Sequence, residues 1–574
     1  MDYITRVNEL AYNDDMKCLA VFVSVVVVAA ANARGDDQHW ATGSRGMVAT
    51  VHPLATEGAV NVMRRGGNAV DGAVAAALIL GVVDPQNSGI GGGCFILIHL
   101  ADGEMIAIDG RETAPAAADR DMYLRDGQPQ QGLSQTGPLA AGTPGALAAY
   151  ERVVRQYGKT KFKDMILSAA KFAENGFKVS GALAARLKAT AATLSRFKAS
   201  RAAFLKGESQ PYRKGETLKL SDLAATYREV AKFGSAWFYS GPFADQVDRW
   251  MKKNGGILTA ADFKNYRTLR REPVISTYRG LQIVGFPPPS SGGVHVAQIL
   301  NILENFDLEK MDDVELMHVV AEAMKLAFAD RAHWLGDADF VKVPQGLVDK
   351  AYAKRLAQRI DLRRATKVAG HGTPDRWQKD VFKRHTTHIS AADAAGNWVA
   401  ITTTVNTSFG SKVTIPNTGV VLNNQMDDFS IAPGAANAFG LVGAEANAIA
   451  PLKRPLSSMS PTVVLKDGRP VMTLGAAGGP TIISQVVLAI VKRIDGDLSL
   501  RDAIAHPRIH HQWLPDRLFV ESAIPADRVK SLALRGHKTS PIPVVGRTQA
   551  IGVRGDKFIG VADPRRADAK ALGF

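Results

Sequence analysis

The sequence predicts a mixed α/β protein with helices laid against β-sheet, and three features carry that expectation. The stretch from Gly46 to Leu100 alternates strand-like runs with small-residue helical runs, broken by Gly-Gly turns that suit helices packed closely on a sheet. Residues 152–232 space Lys and Arg through Ala and Leu at helical intervals, as in "RLKATAATLSRFKASRAAFLKG". Between about Asp312 and Arg384 the chain reads as charged helix ending in an exposed loop. From His385 it changes abruptly to "HTTHISAADAAGNWVAITTTVNTSFG", where Thr, Ile and Val alternate as in strands.

The chain has 574 residues and 46% hydrophobic content, ample for a sizeable core. Lys and Arg outnumber Asp and Glu by 70 to 55, a formal charge of +15. Solvated helix faces account for that excess, and no nucleic-acid partner is expected. No repeat of solenoid length is present.

From Met16 the sequence reads "MKCLAVFVSVVVVAAANA": a lysine, an apolar run from Cys18 to Ala31, and an Ala-x-Ala pattern ending at Ala33. This reads as a secretory signal cut after Ala33, and so as export to a periplasm or beyond. The run falls short of the ~20 residues of a spanning helix, so no stable membrane span is expected. Met1 and Met16 both stand as candidate starts. Cys18 would leave with the signal, so no intrachain disulfide is expected, and Cys94 reads as a small buried residue against the following strand.

Two nucleotide motifs fail. In "GIGGGC" the third glycine of a dinucleotide loop is Cys94, and a strand follows where a helix is needed. Gly158-Lys159-Thr160 has Val153 where a phosphate loop needs glycine. H-E-x-x-H, G-x-S-x-G and a Cys/His cluster with metal spacing are all missing from the sequence, so no metal or cofactor is expected. Adjacent His510 and His511 would point to opposite faces of a strand, which favours packing over ligation.

Ala394-Ala395-Gly396 reads as a three-residue hairpin loop, with Gly396 in the left-handed position. Asp393 and Asn397 then close it, Ser390 faces Ala400 and Thr386 faces Thr404. Opposed residues share a sheet face with Cβ atoms about 4.5–5.5 Å apart. Asn406, two residues on, shares that face. The pattern fits a merely stabilising Thr-Thr pair, worth about 0.2–1 kcal/mol, as well as a functional one.

Further stretches distinguish the two: "DGRETAP" (Asp109 to Pro115), "TTHIS", "TTTVNTSFG", "LNNQMDDFS" (Leu422 to Ser430), "KRPLSSMSPT" (Lys453 to Thr462), "GAAGGP" (Gly475 to Pro480) and "HHQWLPD" (His510 to Asp516). Through them the chain resembles the γ-glutamyltranspeptidase, or glutathione hydrolase, family over nearly all of its mature length. The resemblance implies an N-terminal-nucleophile hydrolase, a four-layer αββα sandwich with two stacked antiparallel-rich sheets. It implies a precursor that cuts itself between His385 and Thr386. The chain would then comprise an extension and signal (1–33), a large subunit (34–385) and a small subunit (386–574), the last two remaining together as a heterodimer. The activity implied is transfer of a γ-glutamyl group from glutathione or other γ-glutamyl compounds to water, an amino acid or a dipeptide.

The chemistry follows from the residue types. A threonine hydroxyl needs a base, and an α-amine freed at Thr386, with a reference pKa of about 7.7–8.0, suits neutral pH. Before cleavage Thr404 is the candidate to orient Thr386, while His388 shares its face and reads as strand support. A γ-glutamyl donor carries a carboxylate and an ammonium. The family's pattern assigns the carboxylate to Arg111 with Ser457 and Ser458, the ammonium to Gln425 and Asp428, and a neighbouring polar contact to Asn406. Gly478 and Gly479 match the backbone donors to the oxyanion, where losing one donor costs about 2.7–4 kcal/mol.

The sequence departs from that pattern twice. Pro480, which has no N–H, follows Gly479, so hydrogen bonding beyond the oxyanion loop must differ, with an altered rate expected. Phe439 stands in the covering loop where a tyrosine hydroxyl would reach Asn406, which suggests a lid held by apolar contact only and more mobile. Two other functions compete for these residues. A glutaryl or cephalosporin-type acylase substrate lacks the ammonium that Asp428 would serve. A non-processing binding protein would not need Thr386, Thr404, Gly478 and Gly479 intact.

Overall fold

The computed structural model describes residues 38–374, 388–432 and 434–574. The signal-like segment and the proposed junction, His385 and Thr386, lie outside the described residues.

Two seven-stranded antiparallel sheets form the centre. In the first, the order is Leu269–Arg271, Met105–Gly110, Gly93–His99, Trp398–Thr404, His388–Asp393, Gly46–Thr50 and Lys570–Gly573. In the second it is Trp40–Gly43, Lys557–Ala562, Arg547–Arg554, Arg469–Ala477, Thr462–Lys466, Leu281–Gly285 and Val274–Tyr278. Each sheet takes strands from both sides of residues 375–387.

Strand alternation builds the layers. Phe95, Leu97 and Ala400 of the first sheet meet Val284, Phe286 and Val463 across the gap between the sheets. Their neighbours Ile96, Ile98, Val399 and Ile401 turn the other way, onto a helical core that includes Ala69–Val83 and Phe162–Asn175. The outer face of the second sheet is covered by Gly292–Leu303, Asp313–Trp334 and Thr481–Ile494. The result is the four-layer αββα sandwich that the resemblance implies.

The hairpin forms in the register read from its loop. His388 pairs with Thr402 and Ser390 with Ala400, Asp393 N–H donates to Asn397 at 3.0 Å, and Gly396 takes φ +99°. The glycines of "GIGGGC" precede the strand Gly93–His99 and serve close packing. A Cβ at Gly92 would lie 1.9 Å from the Thr404 carbonyl oxygen. Cys94 is fully buried in that strand. The basic helix Gly181–Leu194 buries Leu183, Leu187 and Leu194, and Arg186 and Lys188 are exposed. No helix among the described residues is long and apolar enough to cross a membrane.

Candidate active site

A pocket of about 300 Å³ opens where the end of Trp398–Thr404 meets the end of Arg469–Ala477. Thr404, Asn406, Asp428, Ser458, Gly478 and Gly479 line it, six residues picked out by the sequence. Arg111, Gln425 and Ser457 stand behind that wall.

The wall is built by the recognised motifs bonding to one another. Asp109 is the penultimate residue of the strand Met105–Gly110. Its carboxylate accepts the Arg111 N–H at 2.9 Å and pairs with Arg454 and, at 3.3 Å, with Arg271. Tyr266 donates its hydroxyl to the Arg111 carbonyl at 2.7 Å. The Arg111 side chain, fully buried, reaches Asp428 at 2.7 Å and Glu112 at 3.3 Å. Gln425 donates to the same Asp428 oxygen at 3.2 Å. The groups assigned to the two charges of a donor thus hold each other, with Asp428 facing the pocket and Arg111 behind it.

Ser457 takes part through its backbone: its carbonyl accepts the Ser291 N–H at 2.9 Å, and its hydroxyl has no hydrogen-bond partner among the described residues. Ser458 instead accepts from Arg331 at 3.1 Å. Arg331, near the end of helix Asp313–Trp334, also donates to Ser291 at 2.9 Å and lines the pocket. Burial pushes its guanidinium down to about 10 against the pull of Asp428. Sequence reasoning missed this residue, because "AFADRAHW" carries no signal beyond that of an ordinary helix. Glu112, buried beside Arg111, is pushed up to about 7, burial outweighing the nearby guanidinium.

On the other side, the Thr404 hydroxyl accepts the Asn406 N–H at 2.7 Å, and Asn406, at φ +79°, donates its side-chain amide to Asn424 at 2.9 Å. His388 contacts Ser390 at 2.9 Å and Thr402 at 3.2 Å. Burial pushes it down to about 3, so it stays neutral and supports the strand. A Cβ at Gly475 would lie 2.3 Å from its Nδ1, so the second sheet makes room for it there.

Gly478 and Gly479 take φ +144° and +60°, conformations that other residues rarely adopt. Neither N–H has a hydrogen-bond partner among the described residues, and helix Thr481–Ile494 begins two residues on. Two unpaired N–H groups at a helix N-terminus form an anion-stabilising corner. Pro480 is the helix N-cap, where an N–H would have no intrahelical partner in any case. Phe439 packs on Gly479: a Cβ there would be 2.8 Å from its ring. The loop is not held by that contact alone, because Ala438 N–H donates to Asp427 at 2.9 Å and Gln512 donates to the Phe439 carbonyl at 3.2 Å.

Away from the pocket, His510 bonds Ser484 at 2.7 Å and Gln512 at 3.0 Å, which fits packing. His318 and Glu322, one turn apart on helix Asp313–Trp334, come together with the distant His537. His318 is bonded at both ring nitrogens, and the Lys325 ammonium lies 2.6 Å from Glu322, so the cluster already has its positive charge.

Four layers, two stacked antiparallel sheets and a pocket at the strand ends define the N-terminal-nucleophile hydrolase class. The γ-glutamyltranspeptidase family model matches residues 55–573, and the chain belongs to that family. A glutathione hydrolase proenzyme of Escherichia coli (strain K12) is 44% identical, over 93% of each chain. An acylase ACY 1 proenzyme of Pseudomonas sp. (strain V22) is 38% identical over 93% of this chain and 94% of its own. The crystal structure of a cephalosporin acylase from Bacillus halodurans superposes with a TM-score of 0.84 at 27% identity, covering 94% of this chain and 97% of that one.

Proposed function

We propose that this chain is an exported, self-cleaving γ-glutamyltransferase and glutathione hydrolase. The observation that carries the reading is one pocket holding the Thr404 hydroxyl, the Asp428 carboxylate and the unpaired N–H groups of Gly478 and Gly479.

In this reading Thr386 is the nucleophile. Continuing the hairpin register by two residues would set it opposite Thr404, as the sequence reading expects. The Thr404 oxygen already accepts a hydrogen bond from Asn406, so its proton is available to direct toward a partner across the strand pair. Attack of Thr386 on the His385 carbonyl shifts the chain onto the hydroxyl as an ester. That shift breaks the peptide C–N bond and frees the residue 386 amine; water then hydrolyses the ester, leaving residue 385 a carboxylate and restoring the residue 386 hydroxyl. The subunits 34–385 and 386–574 remain one body through their shared sheets.

The new amine takes the Thr386 proton as the hydroxyl attacks the γ-carbonyl of a donor. Gly478 and Gly479 stabilise the oxyanion, and Asp428 with Gln425 receives the donor ammonium. Arg331 and Ser458 meet the donor carboxylate, with Arg111 setting the charge of Asp428 from behind. The amine of the leaving amino acid or peptide departs with a proton, and water or an acceptor amine resolves the ester.

N-terminal sequencing of the two bands on a denaturing gel tests this. The smaller should begin at Thr386, and the cut protein should release glutamate from glutathione. A single uncut chain with γ-glutamyl amidase activity would sink the mechanism. The 38% identity to an acylase supports a second reading, in which a glutaryl side chain replaces the γ-glutamyl group. The Asp428 and Gln425 wall favours a substrate with an ammonium, and faster release of glutarate than glutamate from matched amides would reverse that choice.

A further inference from the structure

The pocket has a second charged wall, formed by residues other than Asp428, Arg331 and Ser458. Arg547 stands directly opposite Ala477 in the antiparallel pairing of Arg547–Arg554 with Arg469–Ala477, one residue before the glycine pair. Arg186 and Arg566 line the pocket with it. Arg566 is answered by Asp84 at 2.8 Å. Nearby Asp563 is already committed to Arg508 at 2.8 Å and Arg565 at 3.2 Å. The Arg547 side chain has no hydrogen bond or ion pair among the described residues, and its Nε is buried without a partner. Burial, then the like charges of Arg566 and Arg186, push its guanidinium below the usual range. A part-buried cation beside two others is costly unless an anion arrives to meet it.

This wall is distinct from the donor wall. Arg331 is bonded to Ser458 and feels Asp428. The charges acting on Arg547 are Arg566, Asp563, Arg186 and Asp84. In the γ-glutamyl reading the amide carbonyl sits at Gly478 and Gly479, next to the strand end that Arg547 flanks, which offers Arg547 to the atoms beyond the scissile nitrogen. A leaving or accepting amino acid or dipeptide carries a carboxylate there at neutral pH.

We infer that Arg547, with Arg186 and Arg566 beside it, recognises the carboxylate of the group beyond the scissile amide, whether a departing peptide or an incoming acceptor. The planar guanidinium can fork onto both oxygens, and the corner forms no covalent bond. Arg547 is then a specificity-determining residue, and this role rests on the γ-glutamyl reading of the same pocket.

The test uses the cut protein and compares glutathione with its analogue bearing a C-terminal amide in place of the glycine carboxylate, reading glutamate release. The parent should favour the acid in kcat/KM by at least about tenfold, the range for a hydrogen bond to a charged group. Arg547→Gln should bring the acid-to-amide ratio to within about threefold of one, mainly by raising KM for the acid, and Arg547→Lys should restore part of the preference. A parent ratio near one, or a ratio unchanged in Arg547→Gln, overturns the inference. If Arg547→Gln does not cut itself, the parent ratio alone decides. Turnover of neither substrate overturns the γ-glutamyl reading and the corner with it, whereas comparable turnover of both overturns the corner alone.

Discussion

Arg111 and Asp428, 317 positions apart in sequence, meet at 2.7 Å in a buried contact that forms one wall of the pocket. Asp428 faces the pocket and Arg111 does not, so in the proposed reading the carboxylate meets the substrate and the guanidinium supports it. Asp428→Asn should raise KM for γ-glutamyl substrates. It should also lower stability by about 3 kcal/mol, the low end for breaking a buried pair, because Glu112 still answers Arg111. Denaturant unfolding of the cut protein checks the second number, and steady-state kinetics the first.

Glu112 gives a pH signature. Its pKa is raised from 4.5 to about 7 in the folded protein, so the native state holds a proton that the unfolded chain has released. Its contribution to stability is full below about pH 4.5 and is lost as pH rises through 7, a change on the order of 3 kcal/mol. Glu112→Gln should flatten the fall in stability across that window, measured by denaturant midpoints at several pH values.

Gly479→Ala should lower kcat by about 10²-fold, the scale of losing one oxyanion donor. The new methyl meets the Phe439 ring at 2.8 Å and a backbone at φ +60°. Adding Phe439→Ala should restore the steric part and leave the conformational part. If the double variant is no faster than Gly479→Ala, the ring contact is not the cause.

The covering loop can be probed separately by hydrogen exchange. Asp427 accepts both the Ala438 N–H and the Ser134 hydroxyl, at 2.9 and 2.7 Å, and Asp427→Ala should speed exchange across residues 434–443. Phe439→Tyr should slow it by offering a hydroxyl toward Asn406. Equal protection in Phe439→Tyr and parent would count against a lid loosened by the missing hydroxyl.

Local chemistry was the legible part of this fold. The hairpin register followed from a three-residue loop that ends in a glycine, because turn geometry and side-chain alternation act over a few positions. Six of the assigned residues reached the pocket through motifs whose combination is specific. The strand order was not legible, since Gly93–His99 pairs with Trp398–Thr404 across some three hundred positions and no local rule reports it. Arg331 was invisible for a related reason. On a helix, an arginine that turns inward toward Ser291 and Ser458 has the same neighbours in sequence as one that faces water. That Arg111 serves Asp428 from behind, instead of opening on the pocket, needed the third dimension.

The sheets mix strands from the two sides of the proposed cut, and this changes the molecularity of folding. Before cleavage, His388–Asp393 finds its place between Gly46–Thr50 and Trp398–Thr404 within one chain. After cleavage the same search would be a bimolecular encounter, dependent on concentration and open to aggregation. The uncut Thr386→Ala chain should therefore refold at a rate independent of protein concentration, and the cut protein should not. Once cut, the mature form would depend on slow unfolding to persist.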